Sequence, residues 1–246
     1  PDGGHKFLDD FANAPDDILK KFLDNPELVE AWKVLDDAKV NAVLRKDPSW
    51  LNRVSNWTDE GLEVASGGKI LRNGDEVGRI VGNRLHIKYT GYGGDIVCDA
   101  TKTTTVLGKW EDPAGGGTSK IINSKLSESG RSTGGINALS EDIPAGWTDQ
   151  QIWDNVNEPW LRDAANRGDV IRVVSDPLNG PNLFKDFPNL DIPASVFDSP
   201  SNLADYLKNL SDPDILYKLS FFGHEVKWLS DGNYIFDTTN FKFIQP

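Results

Sequence analysis

The sequence predicts an α+β fold, in which an N-terminal helical segment precedes a compact domain with a small, mainly antiparallel sheet and packed helices. Three observations support this prediction. Apolar residues at helical spacing dominate up to residue 66, β-branched runs bounded by glycine follow it, and helix-capping sequences recur between those runs. The 246 residues suffice for one large domain or two small ones and bury a core without disulfides.

Residues 1–66 are predicted to form about four short helices packed as hairpins. The sequence Asn25–Glu27 supplies a capping residue, a proline at the first helical position and an acid at the positive end of the helix dipole. Apolar residues then follow at helical spacing: Leu28, Trp32 and Leu35. The segment contains 8 basic and 14 acidic residues but no usefully spaced ligands or acid–base groups. We interpret it as a scaffold or linker segment.

A β-hairpin is predicted over residues 67–83. Apolar strand formers flank the pair Asn73-Gly74, which is a strong signal for a two-residue hairpin turn. We place a domain boundary here, so that the second predicted domain covers residues 67–246.

The remaining elements follow from the same signals. Strands are predicted at Leu85–Tyr89, Asp95–Cys98, Thr103–Gly108, Gly134–Asn137, Val170–Val174 and Tyr234–Phe236. A capping box at Thr148–Gln151 opens a helix that Pro159 kinks or restarts and Gly168 ends. Two more helices begin at cap-then-proline pairs, and the second of them is predicted over residues 213–230.

Composition excludes several classes of protein. The net charge of −12 argues against a broad nucleic-acid surface. The single cysteine, Cys98, excludes an internal disulfide framework and a cysteine zinc site, and no His-x-x-x-His pair or phosphate-loop fingerprint occurs. There is no apolar run long enough to span a membrane. The chain begins at Pro1 and contains no methionine, so we expect it to be excised from a longer polypeptide.

Four local patches contain the residue types that chemistry requires. They are Thr103–Thr105 with Lys109 and Trp110, Arg131 in a glycine-rich loop, Asn157–Trp160 with Arg167, and His224 with Glu225. Each patch also has a purely structural interpretation: a strand, core aromatics, a helix-capping cation or a solvated helix face. Arg131 is the least easily explained in this way, because a cation among small residues often binds an anion.

Several segments, taken in order, resemble the C-terminal tips of bacterial polymorphic toxins of the Rhs-repeat and contact-dependent-inhibition kind. The helical segment Pro26–Leu35 looks like the region that precedes such tips, and the other similar segments are Thr103–Gly108, Gly134–Asn137, Trp153–Leu161, Arg167–Asp169 and Phe222–Glu225. The resemblance implies a secreted protein's toxin fragment that acts in the target-cell cytoplasm and is neutralised by a cognate immunity protein. Many such tips are ribonucleases of the barnase, EndoU, colicin or RelE-like α+β type.

The first functional hypothesis is a metal-independent ribonuclease without a cofactor. Cleavage of RNA by its 2′-hydroxyl requires a base, an acid and a cation for the phosphate. His224 or His86 would serve as base or acid, Glu225 as an alternative base, and Arg131 and Lys109 would hold the phosphate. The predicted substrate-binding residues are Thr104, Trp110, Asn157, Trp160 and Arg167.

Two alternatives remain open at this point. One is a toxin that acts on NAD as a glycohydrolase or ADP-ribosyltransferase. It would use Glu225 or Glu158 to stabilise an oxocarbenium-like centre, Trp110 or Trp160 to stack on nicotinamide, and an arginine for the pyrophosphate. The other is a non-enzymatic binding module.

The partner and the position of the site can also be predicted. Residues 84–246 contain 15 basic and 22 acidic residues, a net charge of −7, so we expect an immunity protein with a basic contact face. We place His224 and Glu225 at the rim of a cleft, facing Lys109 and Arg131 from the sheet side.

Overall fold

The structure is a computed structural model that describes residues 16–37, 48–113, 115–127 and 133–245. Within these residues the chain divides into two compact units. The first is drawn from residues 1–89, 95–103 and 123–135, and the second from residues 90–94, 104–122 and 136–246. Each unit contains helices and one five-stranded sheet, which confirms the predicted α+β class.

The first unit opens with helices whose described ranges are α1 (Asp16–Asp24), α2 (Pro26–Asp37) and α3 (Pro48–Asp59). The predicted start of α2 is confirmed, because the side chain of Asn25 accepts a hydrogen bond from the Glu27 N–H at 3.1 Å. Two edge-to-face aromatic pairs lie on the buried faces of these helices: Phe22 of α1 with Trp32 of α2, and Trp50 with Trp57 within α3. The fourth predicted helix lies outside the described residues.

The sheet of the first unit is an antiparallel meander of β1 (Leu62–Ala65), β2 (Lys69–Arg72), β3 (Asp75–Val81), β4 (Arg84–Ile87) and β5 (Ile96–Val97). The predicted hairpin is confirmed. Asn73 and Gly74 both have positive φ, as a two-residue type I′ turn requires. The predicted boundary after residue 66 does not coincide with the unit boundary, because β1 pairs along its whole length with β2.

The sheet of the second unit consists of β6 (Thr104–Leu107), β7 (Ile136–Ala138), β8 (Val170–Val173), β9 (Ile235–Asp237) and β10 (Lys242–Ile244), in the order β7-β6-β8-β10-β9. Strand β6 is parallel to both β7 and β8, whereas β10 is antiparallel to β8 and β9. The carboxyl ends of three strands therefore meet at one edge. Because β7 and β8 flank β6 on opposite sides, the strand order reverses there, which is where α/β sheets form ligand crevices.

The helices of the second unit are α4 (Thr118–Asn123), α5 (Asp149–Ile152), α6 (Glu158–Arg167), α7 (Gly180–Leu183), α8 (Pro200–Asn209), α9 (Pro213–Tyr217) and α10 (Phe221–Asp231). A π-helical segment, Trp153–Asn157, joins α5 to α6, and a 3₁₀ turn spans Ala194–Phe197. The capping box at Thr148 and the left-handed Gly168 after α6 are as predicted.

The single helix predicted over residues 213–230 is wrong, because the chain forms two helices there. Ser220 caps α10 by accepting a hydrogen bond from the Gly223 N–H at 2.9 Å. Its own N–H donates to the Leu183 carbonyl oxygen, and Leu219 forms a β-bridge with Phe184. These contacts hold Leu219 and Ser220 outside the two helices.

The core of the second unit packs helices α6, α8 and α10 with the buried strands. Its apolar side chains include Leu161, Ile171, Val173, Leu207, Phe222, Val226 and Leu229. Among the described residues, no helix is long and apolar enough to cross a membrane. This core fixes α6 and α10, which contribute most of the side chains considered next.

Candidate functional site

A pocket of about 520 Å³ lies in the second unit, at the carboxyl ends of β6 and β7. The loop after β6 and the loop after β7 form part of its wall, together with residues from the π segment, α6 and the start of α10. Its apolar lining includes Val106, Leu139, Ile143, Ile152, Trp160, Phe221 and Phe222. This volume is within the range of small-molecule sites, and its position follows from the parallel strands.

Glu225 is the buried acid of this pocket. It lies one turn into α10 and is only 5% exposed. Its Oε1 accepts a hydrogen bond from Asn157 Nδ2 at 3.4 Å, and its Oε2 is buried and has no hydrogen-bond partner among the described residues. Burial raises the pKa of this carboxyl to about 8. The hydrogen bond from Asn157 lowers the pKa, but by less than burial raises it. Glu225 therefore carries a proton at neutral pH.

The depth of Glu225 depends on Gly223. A Cβ added at Gly223 would lie 2.1 Å from the carbonyl oxygen of Leu183, so only glycine allows α10 to approach α7 this closely. The predicted position of Glu225 at the rim of a cleft is wrong, because its carboxyl group is buried.

Asn157 reaches Glu225 because it ends the π segment. Pro159 has no N–H and its ring disfavours a continuous α-helix, and the Glu158 N–H instead donates to the carbonyl oxygen of Trp153, five residues back. The helix restart predicted at Pro159 is thus observed. Asn157 is buried, and it and Trp160 both line the pocket.

The loop that follows β6 presents Lys109 and Trp110. It folds back on itself, since the N–H groups of Thr118 and Ser119 donate to the carbonyl oxygens of Lys109 and Trp110 at 2.9 and 3.0 Å. Trp110 lines the pocket and is 57% exposed, which is high for so large an aromatic side chain. Gly117 has a φ of 99°, and a Cβ there would lie 2.5 Å from the Trp110 carbonyl oxygen. Gly117 thus allows the loop that carries Lys109 to pack closely against its own backbone.

Two lysines contribute positive charge to the lining. Lys109 Nζ donates to the carbonyl oxygen of Pro181 at 3.4 Å, and no ion pair to Lys109 is formed within the described ranges. Lys185 lines the pocket as well and is paired with the carboxylate of Asp149. Both ammonium groups suit a phosphate or pyrophosphate ligand.

Five of the predicted site residues converge on this pocket. Glu225, Lys109, Trp110, Asn157 and Trp160 all line it. Arg131 lies outside the described residues.

His224 was expected beside Glu225 at the cleft, but it does not line the pocket. Its ring stacks on Trp153 at a centroid distance of 5.2 Å and an interplanar angle of 30°. Burial lowers the pKa of this imidazole, and the nearby Lys185 lowers it further. Consecutive residues on a helix point about 100° apart, and on α10 the ring of His224 points to Trp153 while Glu225 lines the pocket.

Three further candidates lie elsewhere. Thr104 is buried within the sheet, between its register partners Ile136 and Val170. Arg167 forms a bidentate pair with Asp169, and it does not line the pocket. His86 lies on β4 of the first unit, where burial lowers its pKa.

The sequence analysis missed several lining residues: Thr118, Glu141, Asp142, Lys185, Ser220 and Phe221. No spacing signal marks them. They are brought together only by the parallel order of β7, β6 and β8 and by the break before α10, neither of which the sequence pattern reveals.

Among the residues that the structure describes, no group of three or more histidine, cysteine, aspartate or glutamate side chains is arranged to hold a metal ion. Comparison with protein-family models, curated proteins and solved structures gives no match to this chain. Its function therefore has to be inferred from the site.

Proposed function

We propose that the second unit is the catalytic part of an antibacterial toxin, a ribonuclease that uses Glu225 as its proton donor. The observation that carries this proposal is the buried carboxyl of Glu225, whose pKa is raised to about 8 and whose side chain lines a pocket that also presents Lys109. A carboxyl group that stays protonated at neutral pH is suited to general acid catalysis.

The reaction would be transesterification at phosphorus. The 2′-oxygen attacks the phosphorus and loses its proton to a base, the bond from phosphorus to the 5′-oxygen breaks, and Glu225 gives its proton to that leaving oxygen. The products are a 2′,3′-cyclic phosphate and a 5′-hydroxyl end. Lys109 and Lys185 would balance the charge on the phosphate.

The base would come from the same pocket wall. Glu141 and Asp142 lie in the loop after β7, line the pocket and are exposed. An exposed carboxylate and a buried carboxylic acid in one pocket form an acid–base pair whose roles are set by their environments. From the sequence, His224 or His86 was predicted as base or acid and Glu225 as an alternative base, whereas this proposal makes an exposed carboxylate the base and Glu225 the acid. Trp160 and the exposed Trp110 would stack on bases of single-stranded RNA.

A second candidate function is consumption of NAD, as a glycohydrolase or ADP-ribosyltransferase. A largely apolar pocket of about 520 Å³ in a chain with a net charge of −12 favours a small nucleotide over a long polyanion. Glu225 would stabilise the oxocarbenium-like centre as a carboxylate, for which it would first have to lose the proton that it carries at neutral pH. Because Arg167 does not line the pocket, the pyrophosphate would be bound by Lys109 and Lys185, which do.

One experiment separates the two functions and also the third, a binding module. The intact chain is incubated with total tRNA and, in a parallel reaction, with NAD, beside the variants Glu225→Gln and Glu158→Gln. Glu158 is the matched control, because it pairs with Arg162 on α6 and does not line the pocket.

We expect cyclic-phosphate RNA ends from the wild type and from Glu158→Gln, with a rate lower by about 10²–10⁴-fold for Glu225→Gln. Release of nicotinamide without RNA cleavage supports the second candidate. If neither substrate is converted, both enzymatic proposals are refuted and a binding module remains.

The proposed partner is an immunity protein whose contact face is basic. Its support is the acidity of the chain and the toxin resemblance. A pull-down with the product of the immediately downstream gene tests it. Failure of that product to bind would remove most of the support for a toxin.

A further inference from the structure

We propose that Asn157 is a positioning residue that determines which oxygen of Glu225 carries the proton. By occupying Oε1, its amide directs the carboxyl hydrogen onto Oε2, which belongs to a pocket-lining side chain. This rests on the proposed function in one respect, namely that Glu225 is the group that gives a proton to the substrate.

The hydrogen-bond geometry leads to this assignment. Asn157 Nδ2 carries only donor hydrogens, so Glu225 Oε1, 3.4 Å away, must accept. A neutral carboxyl group has one hydrogen, and an oxygen that accepts from an amide uses a lone pair to do so. The carbonyl oxygen of a carboxylic acid is a better acceptor than its hydroxyl oxygen, so the arrangement favours the hydrogen on Oε2, which has no hydrogen-bond partner in the described part of the chain.

The π segment contacts α10 at both of its ends, through Asn157 and through Trp153. Asn157 itself is buried, and Trp153 at the other end of the segment stacks on His224, the neighbour of Glu225 on α10. Two adjacent contacts thus join the π segment to α10. An amide held in this way keeps its donor directed at Oε1 when a ligand enters.

The charged residues near Glu225 do not account for the shift of its pKa. The charged residues that line the same pocket are Lys109, Lys185, Glu141 and Asp142, and the nearest titratable neighbours on its own helix are His224 and Lys227. Burial is the main cause that raises the pKa of Glu225, and the hydrogen bond from Asn157 is the cause that lowers it.

This arrangement predicts the sign of a measurable shift. A donor on Oε1 stabilises the carboxylate, so removing it should raise the pKa of Glu225. If instead the side-chain carbonyl of Asn157 faced Glu225 and accepted its proton, removing it would lower that pKa. The two orientations of the amide therefore give opposite results.

The test is a carbon-13 NMR titration of the Glu225 carboxyl from pH 5 to 10 in the intact chain labelled at glutamate carboxyls. Its signal is identified by its loss in Glu225→Gln. The variants are Asn157→Ala and the near-isosteric Asn157→Leu, which preserves packing if the alanine variant unfolds. Asn155→Ala is the matched control, since Asn155 is exposed in the same segment and bonds to the Gln151 carbonyl oxygen.

We expect a titration near pH 8 in the wild type and in Asn155→Ala, and one shifted upward by about one pH unit in the Asn157 variants. The alkaline limb of the pH–rate profile should move in the same direction. An unchanged or lowered pKa in a folded Asn157 variant overturns the inference.

The two proposals fail separately. An upward shift in a chain that cleaves neither RNA nor NAD supports the positioning role and refutes the proposed function. Turnover by the wild type with an unshifted pKa in the variants refutes the positioning role and leaves the function supported.

Discussion

Trp153 stacks on His224, and this contact lies directly beside the hydrogen bond between Asn157 and Glu225. The two neighbours on α10 thereby have different environments. His224 faces an aromatic ring, whereas Glu225 has one oxygen bonded to Asn157 and the other buried without a hydrogen-bond partner among the described residues. Each environment leads to a separate prediction.

The contribution of Glu225 to the stability of the protein should fall as the pH rises from about 4.5 to about 8. Its pKa is raised from 4.5 in the unfolded chain to about 8 in the fold, so the folded state binds the extra proton in this window. The stabilisation is complete below pH 4.5 and lost as the pH passes through 8. Urea unfolding of the wild type and of Glu225→Gln across pH 5–9 measures the contribution as a difference.

That difference should change by about 1.4 kcal/mol per pH unit at most and level off above pH 8, with Glu225→Gln relatively more stable in alkali. Other titrating groups cancel between the two proteins. A difference that is flat across the range would mean that Glu225 is not buried as the structure has it.

His224 should matter for stability in acid and little for the reaction. Burial lowers the pKa of its imidazole, so the unfolded state takes up a proton more readily and stability falls as the pH drops below about 6.5. His224→Phe retains an aromatic partner for Trp153 but does not titrate.

We expect the wild type to lose more stability than His224→Phe between pH 7.5 and pH 5, measured by thermal melting. The turnover of His224→Phe should stay within about tenfold of the wild type. Glu225→Gln, in contrast, should lower turnover by about 10²–10⁴-fold. Equal losses of turnover in the two variants would return His224 to the catalytic set.

Local elements of this fold could be predicted because their signals are short-range. The Asn73-Gly74 turn, the Thr148 capping box, the restart at Pro159 and the stop at Gly168 each depend on residues a few positions apart. The convergence of Lys109, Asn157 and Glu225 depends on parallel pairing of β6 with β7 and β8, strands separated by loops and helices. Strand composition does not encode that pairing.

The depth of Glu225 could not be predicted for a related reason. On a helical wheel it lies beside the buried stripe of α10, and charged residues there are normally exposed. It is buried because Gly223 allows Leu183 to approach and because α10 begins afresh at Ser220. Both facts depend on residues about 40 positions away.

Gly223→Ala should destabilise the protein by about 3 kcal/mol, despite the higher helix propensity of alanine. The added Cβ would lie 2.1 Å from the Leu183 carbonyl oxygen, and a backbone atom cannot be displaced cheaply. Gly232→Ala, after the end of the same helix, is the matched control, because the nearest atom to its added Cβ lies at 3.4 Å. Thermal melting of the two variants gives the comparison, and equal melting temperatures would contradict the close α10–α7 approach.

A fragment that begins at residue 67 should not retain a folded first unit. The cut removes β1 and the helices that supply Phe22, Trp32 and Trp57, so the apolar side chains of the remaining strands, such as Ile70 and Leu85, become exposed. We expect this fragment to bind a hydrophobic dye and to show a weaker or missing unfolding transition beside the full chain. A fragment as compact and as cooperative as the full chain would support the boundary at 66/67 predicted from the sequence.

The last prediction concerns the cation of the pocket. Lys109 and Lys185 both line it, but Lys185 is paired with Asp149, whereas the ammonium group of Lys109 contacts the carbonyl oxygen of Pro181. The charge of Lys109 is therefore the less compensated of the two and the better placed to act on a phosphate or pyrophosphate. Lys109→Met keeps the aliphatic length of the side chain and removes the charge.

We expect Lys109→Met to lower turnover of whichever nucleotide substrate is consumed by about 10²-fold, as the loss of one charge-stabilising donor does. Lys185→Met should have a smaller effect, and Lys120→Met, an exposed lysine on α4 outside the pocket, none. Steady-state rates, with a melt of each variant to confirm folding, test the order. If Lys120→Met lowers the rate as much as Lys109→Met, the effect is one of overall charge, and Lys109 has no particular role at the phosphate.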